Sequence, residues 1–384
     1  MGEENHKENP LGLTELLDKE LESRMLQAAL ARDRLGGTLL FFGPDGSGKS
    51  SLAFWLAAAF NCSSSGGRGA PCLSCPACRK VETLNHPDVF WIFPLPGSFY
   101  RGERIDELKL AEVFGQKRSA PWLEIQFPEK SEHHLAMVRR IRTEASRSCY
   151  EGRRKVFVVS GADRLRIEAS NAFLKLLEEP RPDVTLILCT ERPSSLIPTI
   201  LSRCQRLQVT RPRLSTCLGV LSERFGLPED QARELLAAAD GNLTAALRMK
   251  DHELFQMRKV WVEKTFQAVL DPGTQGCYDL VNERNGPMWN RGDFERYLAF
   301  LTQALRDVIL SRIAGADSAE PAKGAAGSSG LVREYSARVA DVWPLLNLLG
   351  RMVNLRDALD RNVNLRLLGW SILHKMREVA GYGC

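Results

Sequence analysis

The sequence lacks a long apolar run, an apolar leader and a strong imbalance of charge. No stretch reaches the roughly 18 consecutive apolar residues that a membrane-spanning helix needs, and residues 1–10 are polar and charged. We therefore expect no membrane span, no secretory signal and a cytoplasmic location. Lysine and arginine number 52 against 47 aspartates and glutamates, and this net charge of +5 permits contact with nucleic acid without requiring it.

The first 210 residues alternate between short apolar runs and segments of helical composition. Strands are predicted at 38–42, 88–93, 155–160, 185–190 and 207–209. Strands that alternate with helices predict a mostly parallel sheet covered on both faces. A helix is expected over 14–33 from an apolar stripe at a spacing of four, formed by Leu17, Leu21, Met25 and Ala29. Proline and glycine interrupt residues 94–131, and most of that stretch is expected to be an insertion or long loop.

Helical spacing dominates after residue 210. Short helices are predicted over 213–250, with a turn at Gly241, and a longer one over 293–313. A linker of small residues follows at 315–330, and 332–380 returns to helix. The chain of 384 residues is long enough for two or three domains at roughly 100–200 residues each.

Residues 43–50, GPDGSGKS, fit the phosphate-binding pattern G-x-x-x-x-G-K-[ST] between a predicted strand and a predicted helix. Glycines let backbone N–H groups curl around phosphate oxygens, and the helix N-terminus adds positive potential. A glycine-rich turn that merely resembles the motif is the alternative, but the strand and helix favour ATP or ADP with Mg²⁺. Lys49 would reach the outer phosphates and Ser50 would hold Mg²⁺. The predicted binding residues are Gly43, Pro44, Asp45, Gly46, Ser47, Gly48, Lys49, Ser50 and Ser51.

The carboxylates that a hydrolysing P-loop ATPase needs are missing from their expected place. One acid should orient Mg²⁺ and a second should polarise water at the end of a neighbouring strand. Ser160 and Gly161 stand there instead, and Asp163 comes two or three residues too late. Glu178 and Glu179 are better explained as a solvated helix end. We therefore predict nucleotide binding with little or no hydrolysis.

Ten cysteines are present, and four of them cluster with the spacing C-x9-C-x2-C-x2-C. Disulfides are not expected in a reducing cytosol, whereas four thiolates suit a closed tetrahedral Zn²⁺ site. With no open coordination position and no nearby base, a structural metal is predicted; an iron–sulfur cluster or free thiols are the alternatives. The predicted ligands are Cys62, Cys72, Cys75 and Cys78.

Two further residues have both a functional and an ordinary explanation. Thr190 ends the apolar run at 185–190 and could point at a γ-phosphate, or could simply finish a strand. Arg203 follows a short apolar turn, and could be an arginine finger for a neighbouring nucleotide or a surface residue. On position alone the surface residue is favoured for Arg203.

Taken together, these motifs resemble the bacterial clamp-loader AAA+ subunits over roughly residues 10–250. The similarity rests on the phosphate loop, the cysteine quartet, HPD (86–88), EGRRKVFVV (151–159), ASNAFLKLLEEP (169–180) and TILSRC (199–204), in this order. The resemblance implies an α/β AAA+ P-loop domain over 1–209 with a zinc module at 62–78. It further implies an all-α lid over 210–275 and an all-α collar that drives oligomerisation over 276–384.

That family has a motor branch, gamma/tau, and a related delta-prime branch. The motor carries the acidic pair and a sensor arginine in the lid, whereas this chain has Ser160, Gly161 and Thr244 at those positions. The differences imply the delta-prime branch, a stator without intrinsic ATPase activity. The intact phosphate loop is unlike many delta-prime chains and favours nucleotide as a structural ligand. In this family the arginine at the Arg203 position projects toward ATP on the adjacent motor subunit.

The resemblance also implies partners. Five subunits, including gamma/tau and delta, would form a spiral that opens a sliding clamp and grips primer–template DNA, as part of the DNA polymerase III holoenzyme. A basic stretch could touch DNA phosphate, although a solvated helix face is the simpler account of Arg139, Arg140, Arg142, Arg147, Arg153 and Arg154. The rivals are a gamma/tau motor, a stand-alone nucleotide-dependent DNA-binding switch and a nucleotide kinase.

Overall fold

A computed structural model describes residues 11–102, 104–119, 127, 129–178, 181–250, 252–284, 286–313, 330–359 and 363–382. The chain divides into two compact units, Met1–Gly226 and Leu227–Cys384. The predicted division into three domains at 209 and 275 stays a prediction. The predicted linker at 315–330 lies outside the described residues except for Gly330.

The first unit is built on a parallel five-stranded sheet, as predicted. The five strands are β1 (Thr38–Phe42), β2 (Val89–Ile92), β7 (Lys155–Val159), β8 (Val184–Thr190) and β9 (Gln205–Gln208). Their order in the sheet is β2-β7-β8-β1-β9. Every residue of β7 and β8 is buried, because helices cover both faces and the strands are continuous apolar runs.

Eight α-helices accompany this sheet in the described part of the first unit. Every residue of the second helix from Leu52 to Asn61 is buried, as expected for a helix that is apolar on all sides. The helices are α1 (Glu20–Ala31), α2 (Lys49–Asn61), α3 (Pro76–Glu82), α4 (Glu107–Ser119), α5 (Leu135–Ser146), α6 (Ile167–Glu178), α7 (Pro198–Leu201) and α8 (Leu214–Phe225).

The predicted apolar stripe of the first helix is wrong. α1 starts at Glu20 rather than near residue 14, and Leu21 and Met25 are 70% and 53% exposed. Leu26 and Leu30, one residue further along, are buried instead. A helix with leucines on two neighbouring faces does not reveal by spacing which face the core covers.

Residues 94–131 contain more regular structure than the predicted loop. They hold α4 and two short antiparallel pairs, β3 (Leu95–Pro96) with β6 (Ser131–Glu132) and β4 (Tyr100–Arg101) with β5 (Arg104–Ile105). Of the α4 side chains that the structure describes, Leu110, Val113 and Lys117 are the buried ones, and the helix is mostly polar, so its periodicity is weak in the sequence.

The second unit contains only helices among its described residues. Its core is centred on large aromatic side chains, including Phe266, Phe294, Tyr297 and Tyr335. The helices are α9 (Glu229–Ala238), α10 (Leu243–Met249), α11 (His252–Leu270), α12 (Gln275–Asn282), α13 (Arg291–Ile313), α14 (Gly330–Arg338), α15 (Trp343–Leu359) and α16 (Leu365–Val379). The predicted helical character after residue 210 is confirmed.

Across the described ranges, none of the helices combines the length and the apolar character that a membrane crossing demands.

Candidate functional site

The glycine-rich loop lies at the carboxyl ends of the central strands, between β1 and α2. Gly43 N–H donates to Thr190 O at 3.2 Å, and Val209 N–H donates to Phe42 O at 2.8 Å. The loop therefore begins between the ends of β8 and β9. Ligands of open α/β sheets bind outside the carboxyl ends of the strands, which is where this loop lies.

Three loop glycines have conformational or steric reasons to be glycine. Gly46 and Gly48 have φ values of 71° and 81°, in the left-handed region that favours glycine. A Cβ atom on Gly43 would collide with the backbone oxygen of Val209. Gly48 is the residue that precedes α2, so the unpaired N–H groups of the first helical turn open onto the loop.

Lys49 lies across the loop. Its ammonium group donates to Gly43 O at 2.9 Å, to Pro44 O at 2.7 Å and to Ser47 Oγ at 3.3 Å. Asp45 accepts from Gly46 N–H at 2.9 Å. The structure thus brings together the predicted residues from Gly43 to Ser51, and Lys49 is positioned where it can exchange loop oxygens for phosphate oxygens.

A serine hydroxyl faces the predicted magnesium ligand. Ser50 Oγ lies 3.4 Å from Ser160 Oγ, which follows β7. Ser160 Oγ also accepts from the indole N–H of Trp91 at 2.9 Å. A neutral hydroxyl therefore occupies the place beside Ser50 where a hydrolysing site needs a carboxylate.

Two of the three candidate acids, Asp163 and Glu178, are described, and each is engaged by other side chains. Asp163 Oδ1 accepts from the Thr190 hydroxyl at 2.7 Å, and Asp163 Oδ2 lies 3.5 Å from an Arg192 guanidinium nitrogen. Glu178 pairs with Arg203 at 3.1 Å, and Glu179 lies outside the described residues. The Thr190 hydroxyl also accepts from Arg192 N–H at 3.0 Å, so its role as a phosphate sensor stays a prediction.

Arg203 follows α7 on the surface of the first unit. Its side chain is 36% exposed, and its guanidinium group donates to Thr199 O at 3.0 Å as well as to Glu178. Exposed ion pairs of this kind contribute little to stability. The guanidinium group is therefore held only lightly and is accessible from outside the chain.

The four predicted metal ligands converge. The sulfur atoms of Cys62, Cys72, Cys75 and Cys78 all lie within 4.8 Å of one another. Cys62 is the residue directly after α2, Cys75 is the residue directly before α3, and Pro76 is the first residue of α3. In a tetrahedral zinc–thiolate site the sulfurs are about 3.8 Å apart, so the cluster needs only a small contraction.

Hydrogen bonds to sulfur favour the thiolate form at Cys62 and Cys72, whereas burial raises the pKa of Cys78. Cys62 Sγ accepts from Ser65 N–H and Cys72 N–H, and Cys72 Sγ accepts from Cys75 N–H. Hydrogen bonds from Ser64 and Ser74 lower the pKa of Cys72 to about 5. A metal site needs deprotonated thiols, and four convergent sulfur donors, two of them already favoured as thiolates, fit Zn²⁺.

The motifs HPD and EGRRK meet in a buried network rather than at the phosphate loop. Asp88 is fully buried and accepts three backbone N–H groups, from Tyr150 at 2.7 Å, Glu151 at 2.9 Å and Gly152 at 2.7 Å. The side chain of Asn61, the last residue of α2, accepts from the next two N–H groups along the chain. These motifs tie the end of α2 to the start of β7.

Three residues at the site could not be found from local sequence patterns. Trp91 donates to Ser160, as described above, and His133 Nε2 donates to Ser160 O at 2.8 Å. Burial lowers the pKa of His133 to about 4, so the ring is neutral at physiological pH. Lys19, just before α1, is buried beside Gly48.

Residues 19–213 match the protein family described as DNA polymerase III, delta subunit. DNA polymerase III subunit delta′ of Bacillus subtilis is 28% identical over 295 residues, covering 77% of this chain and 78% of that protein. DNA polymerase III subunit tau of the same organism is 27% identical over 250 residues, covering 64% of this chain and 38% of that protein.

A solved structure of a DNA polymerase III gamma subunit-related protein from Thermotoga maritima is 18% identical to this chain. The alignment covers 93% of this chain and 99% of that one, with a TM-score of 0.40. Among the sequence relatives, the chain spans about four fifths of the delta′ protein and well under half of the tau protein.

Proposed function

The chain belongs to the DNA polymerase III delta subunit family, and on that premise we propose that it is a delta-prime-type clamp-loader subunit related to gamma/tau. In this role it is a stator that binds Mg²⁺-nucleotide with little or no hydrolysis. It assembles with gamma/tau-type ATPases and a delta-type subunit in a hetero-pentamer. The assembly opens a sliding clamp for primer–template DNA within the polymerase holoenzyme.

One observation supports the stator role above all, the hydroxyl of Ser160 beside Ser50. A serine hydroxyl cannot serve as a general base at neutral pH, and it binds Mg²⁺ less strongly than a carboxylate does. Asp163, the acid that follows in sequence, is committed to Thr190 and Arg192. Among the described residues, the phosphate cradle thus has a hydroxyl rather than a carboxylate beside Ser50 to face the attacking water.

Arg203 supports the proposal that this chain completes a neighbour's site. Its guanidinium group is at the surface and is held by one exposed carboxylate and one carbonyl. An arginine supplied in trans stabilises the charge that develops during phosphoryl transfer. We assign Arg203 this role toward ATP on an adjacent gamma/tau-type subunit.

The cysteine cluster supports a structural zinc ion held by Cys62, Cys72, Cys75 and Cys78. A four-thiolate site leaves no position for substrate, so the metal would supply folding energy rather than catalysis. It would fasten α3 to the end of α2, the helix that begins at the phosphate loop.

A gamma/tau-type motor is the alternative, and the intact phosphate loop together with the similarity to tau favours it. Reconstitution with gamma/tau-type and delta-type subunits of the same organism separates the two. If this chain is a stator, Lys49→Ala in it should leave the ATPase activity of the assembled loader unchanged. The equivalent lysine substitution in the gamma/tau-type subunit should abolish that activity. Loss of loader activity with Lys49→Ala in this chain would instead support the motor.

A further inference from the structure

A second lysine lies buried next to the phosphate loop. Lys19 is the residue before α1, and only 2% of it is exposed. A Cβ atom placed on Gly48 would lie 3.7 Å from Lys19 Cε. Gly48 precedes α2, so the Lys19 side chain lies at the positive end of the helix that receives phosphate.

The ammonium group of Lys19 has hydrogen-bond partners but no ion pair among the described residues. It donates to Leu17 O at 3.0 Å and more weakly to Asp18 O at 3.5 Å. Burial lowers the pKa of Lys19, although Glu22, Asp18, Cys217 and Glu20 act in the opposite direction. Burying an ammonium group without a counter-ion is costly, and proteins seldom do so without a reason.

The two acids that act most strongly on the Lys19 charge, Glu22 and Asp18, also have other hydrogen-bond partners. Asp18 accepts the backbone N–H of Arg213 at 2.7 Å, and Glu22 accepts a long bond from the Thr210 hydroxyl at 3.5 Å. A third N–H of the Lys19 ammonium group is left over once its two carbonyl acceptors are counted. An anion in the adjacent loop would supply both an acceptor and a counter-charge.

We propose that Lys19 is a second phosphate-binding lysine of this loop, which contacts the phosphate nearest Gly48 in a nucleoside di- or triphosphate. This inference rests on the proposed nucleotide-binding function. The two lysines approach the loop from different elements. Lys49 is the first residue of α2, and Lys19 is the residue before α1. Together they clamp the polyphosphate at the N-terminus of α2.

The test uses the full chain with Lys19→Met, Lys49→Ala and, as the matched control, the exposed Lys175→Met. Calorimetry measures binding of Mg²⁺-ATP and of Mg²⁺-pyrophosphate, which lacks base and ribose. Because a hydrogen bond to a charged group is lost, Lys19→Met should weaken both ligands by about tenfold or more. The ligand-free melting temperature should stay constant or rise, because methionine carries no desolvated charge. Lys175→Met should match the wild type.

Three outcomes count against the inference. Wild-type affinity of Lys19→Met for pyrophosphate would show that Lys19 does not contact phosphate. A melting temperature that falls along with affinity would show that Lys19 holds the fold rather than the ligand. If the wild type does not bind ATP, or binds it no better than Lys49→Ala does, the proposed nucleotide binding fails, and the role of Lys19 fails with it.

Discussion

Replacing Asp88 with asparagine tests the buried network that connects α2 to β7. Asp88 Oδ1 accepts from Tyr150 N–H, and Oδ2 accepts from Glu151 N–H and Gly152 N–H. The buried Lys155 ammonium group lies 4.0 Å from Oδ1. In Asp88→Asn, the side-chain amide would keep one oxygen for two of the donors and turn its N–H₂ group toward the third.

The expected loss follows from these contacts. Hydrogen bonds to a charged group contribute about 1.5–3 kcal/mol each, and an unsatisfied buried donor costs about 1–3 kcal/mol. Asp88→Asn weakens three bonds, leaves one donor unpaired and removes the charge near Lys155. We therefore expect the free energy of unfolding at pH 7 to fall by about 3 kcal/mol, within the range for broken buried networks.

The pH dependence has a defined sign. Burial alone would raise the pKa of Asp88, but the three N–H groups outweigh it and hold the pKa below 3.8. A carboxyl group whose pKa is lowered by folding stabilises the fold at pH values above its unfolded-state pKa. That stabilisation is lost as the pH falls through its folded-state pKa. The difference between wild type and Asp88→Asn should therefore stay constant from about pH 7 to about pH 5 and shrink below pH 3.8.

Urea unfolding followed by far-UV circular dichroism measures this difference. Asp230→Asn, at an exposed position in the first turn of α9, is the control and should cost less than about 0.5 kcal/mol. Equal unfolding midpoints for Asp88→Asn and wild type at pH 7 would refute the assignment of Asp88 as the centre of the network.

Three shorter predictions concern the site. Gly43→Ala puts a methyl group onto a backbone carbonyl, so calorimetry should show no Mg²⁺-ATP binding; retained binding would contradict the loop geometry. Cys72→Ser should reduce bound zinc, measured by atomic absorption, from about one equivalent to nearly none, whereas Cys149→Ser keeps it. Arg203→Ala should lower the neighbour's ATP turnover in the assembled loader by a factor on the order of 10³, while gel filtration shows that the loader still assembles. The control Arg206→Ala should leave both the turnover and the assembly unchanged.

The sheet could be predicted because its strands are buried on both faces. Such strands appear in the sequence as uninterrupted apolar runs, as in β7 and β8. α1 and α4 were harder, because partial burial leaves an ambiguous or weak apolar stripe. Which leucine of α1 faces the core depends on tertiary packing, and local spacing does not contain that information.

The same difference between local sequence patterns and tertiary packing applies to the residues of the candidate site. The phosphate loop and the cysteine cluster are local in sequence, and their glycine and cysteine spacings carry the chemistry directly. The contact of Ser50 with Ser160 joins residues 110 positions apart. The sequence therefore predicted that a carboxylate is absent after the third strand, but it did not predict which hydroxyl lies beside Ser50. Lys19 carried no signal at all, because only its burial beside Gly48 distinguishes it from a surface lysine.

Steady-state ATP hydrolysis by the purified full-length chain, beside its Lys49→Ala variant, tests the stator role most directly. With a hydroxyl beside Ser50 in place of a carboxylate, we predict that the wild type releases phosphate no faster than Lys49→Ala does, while still binding Mg²⁺-ATP. Robust turnover by the wild type that Lys49→Ala abolishes would contradict the account.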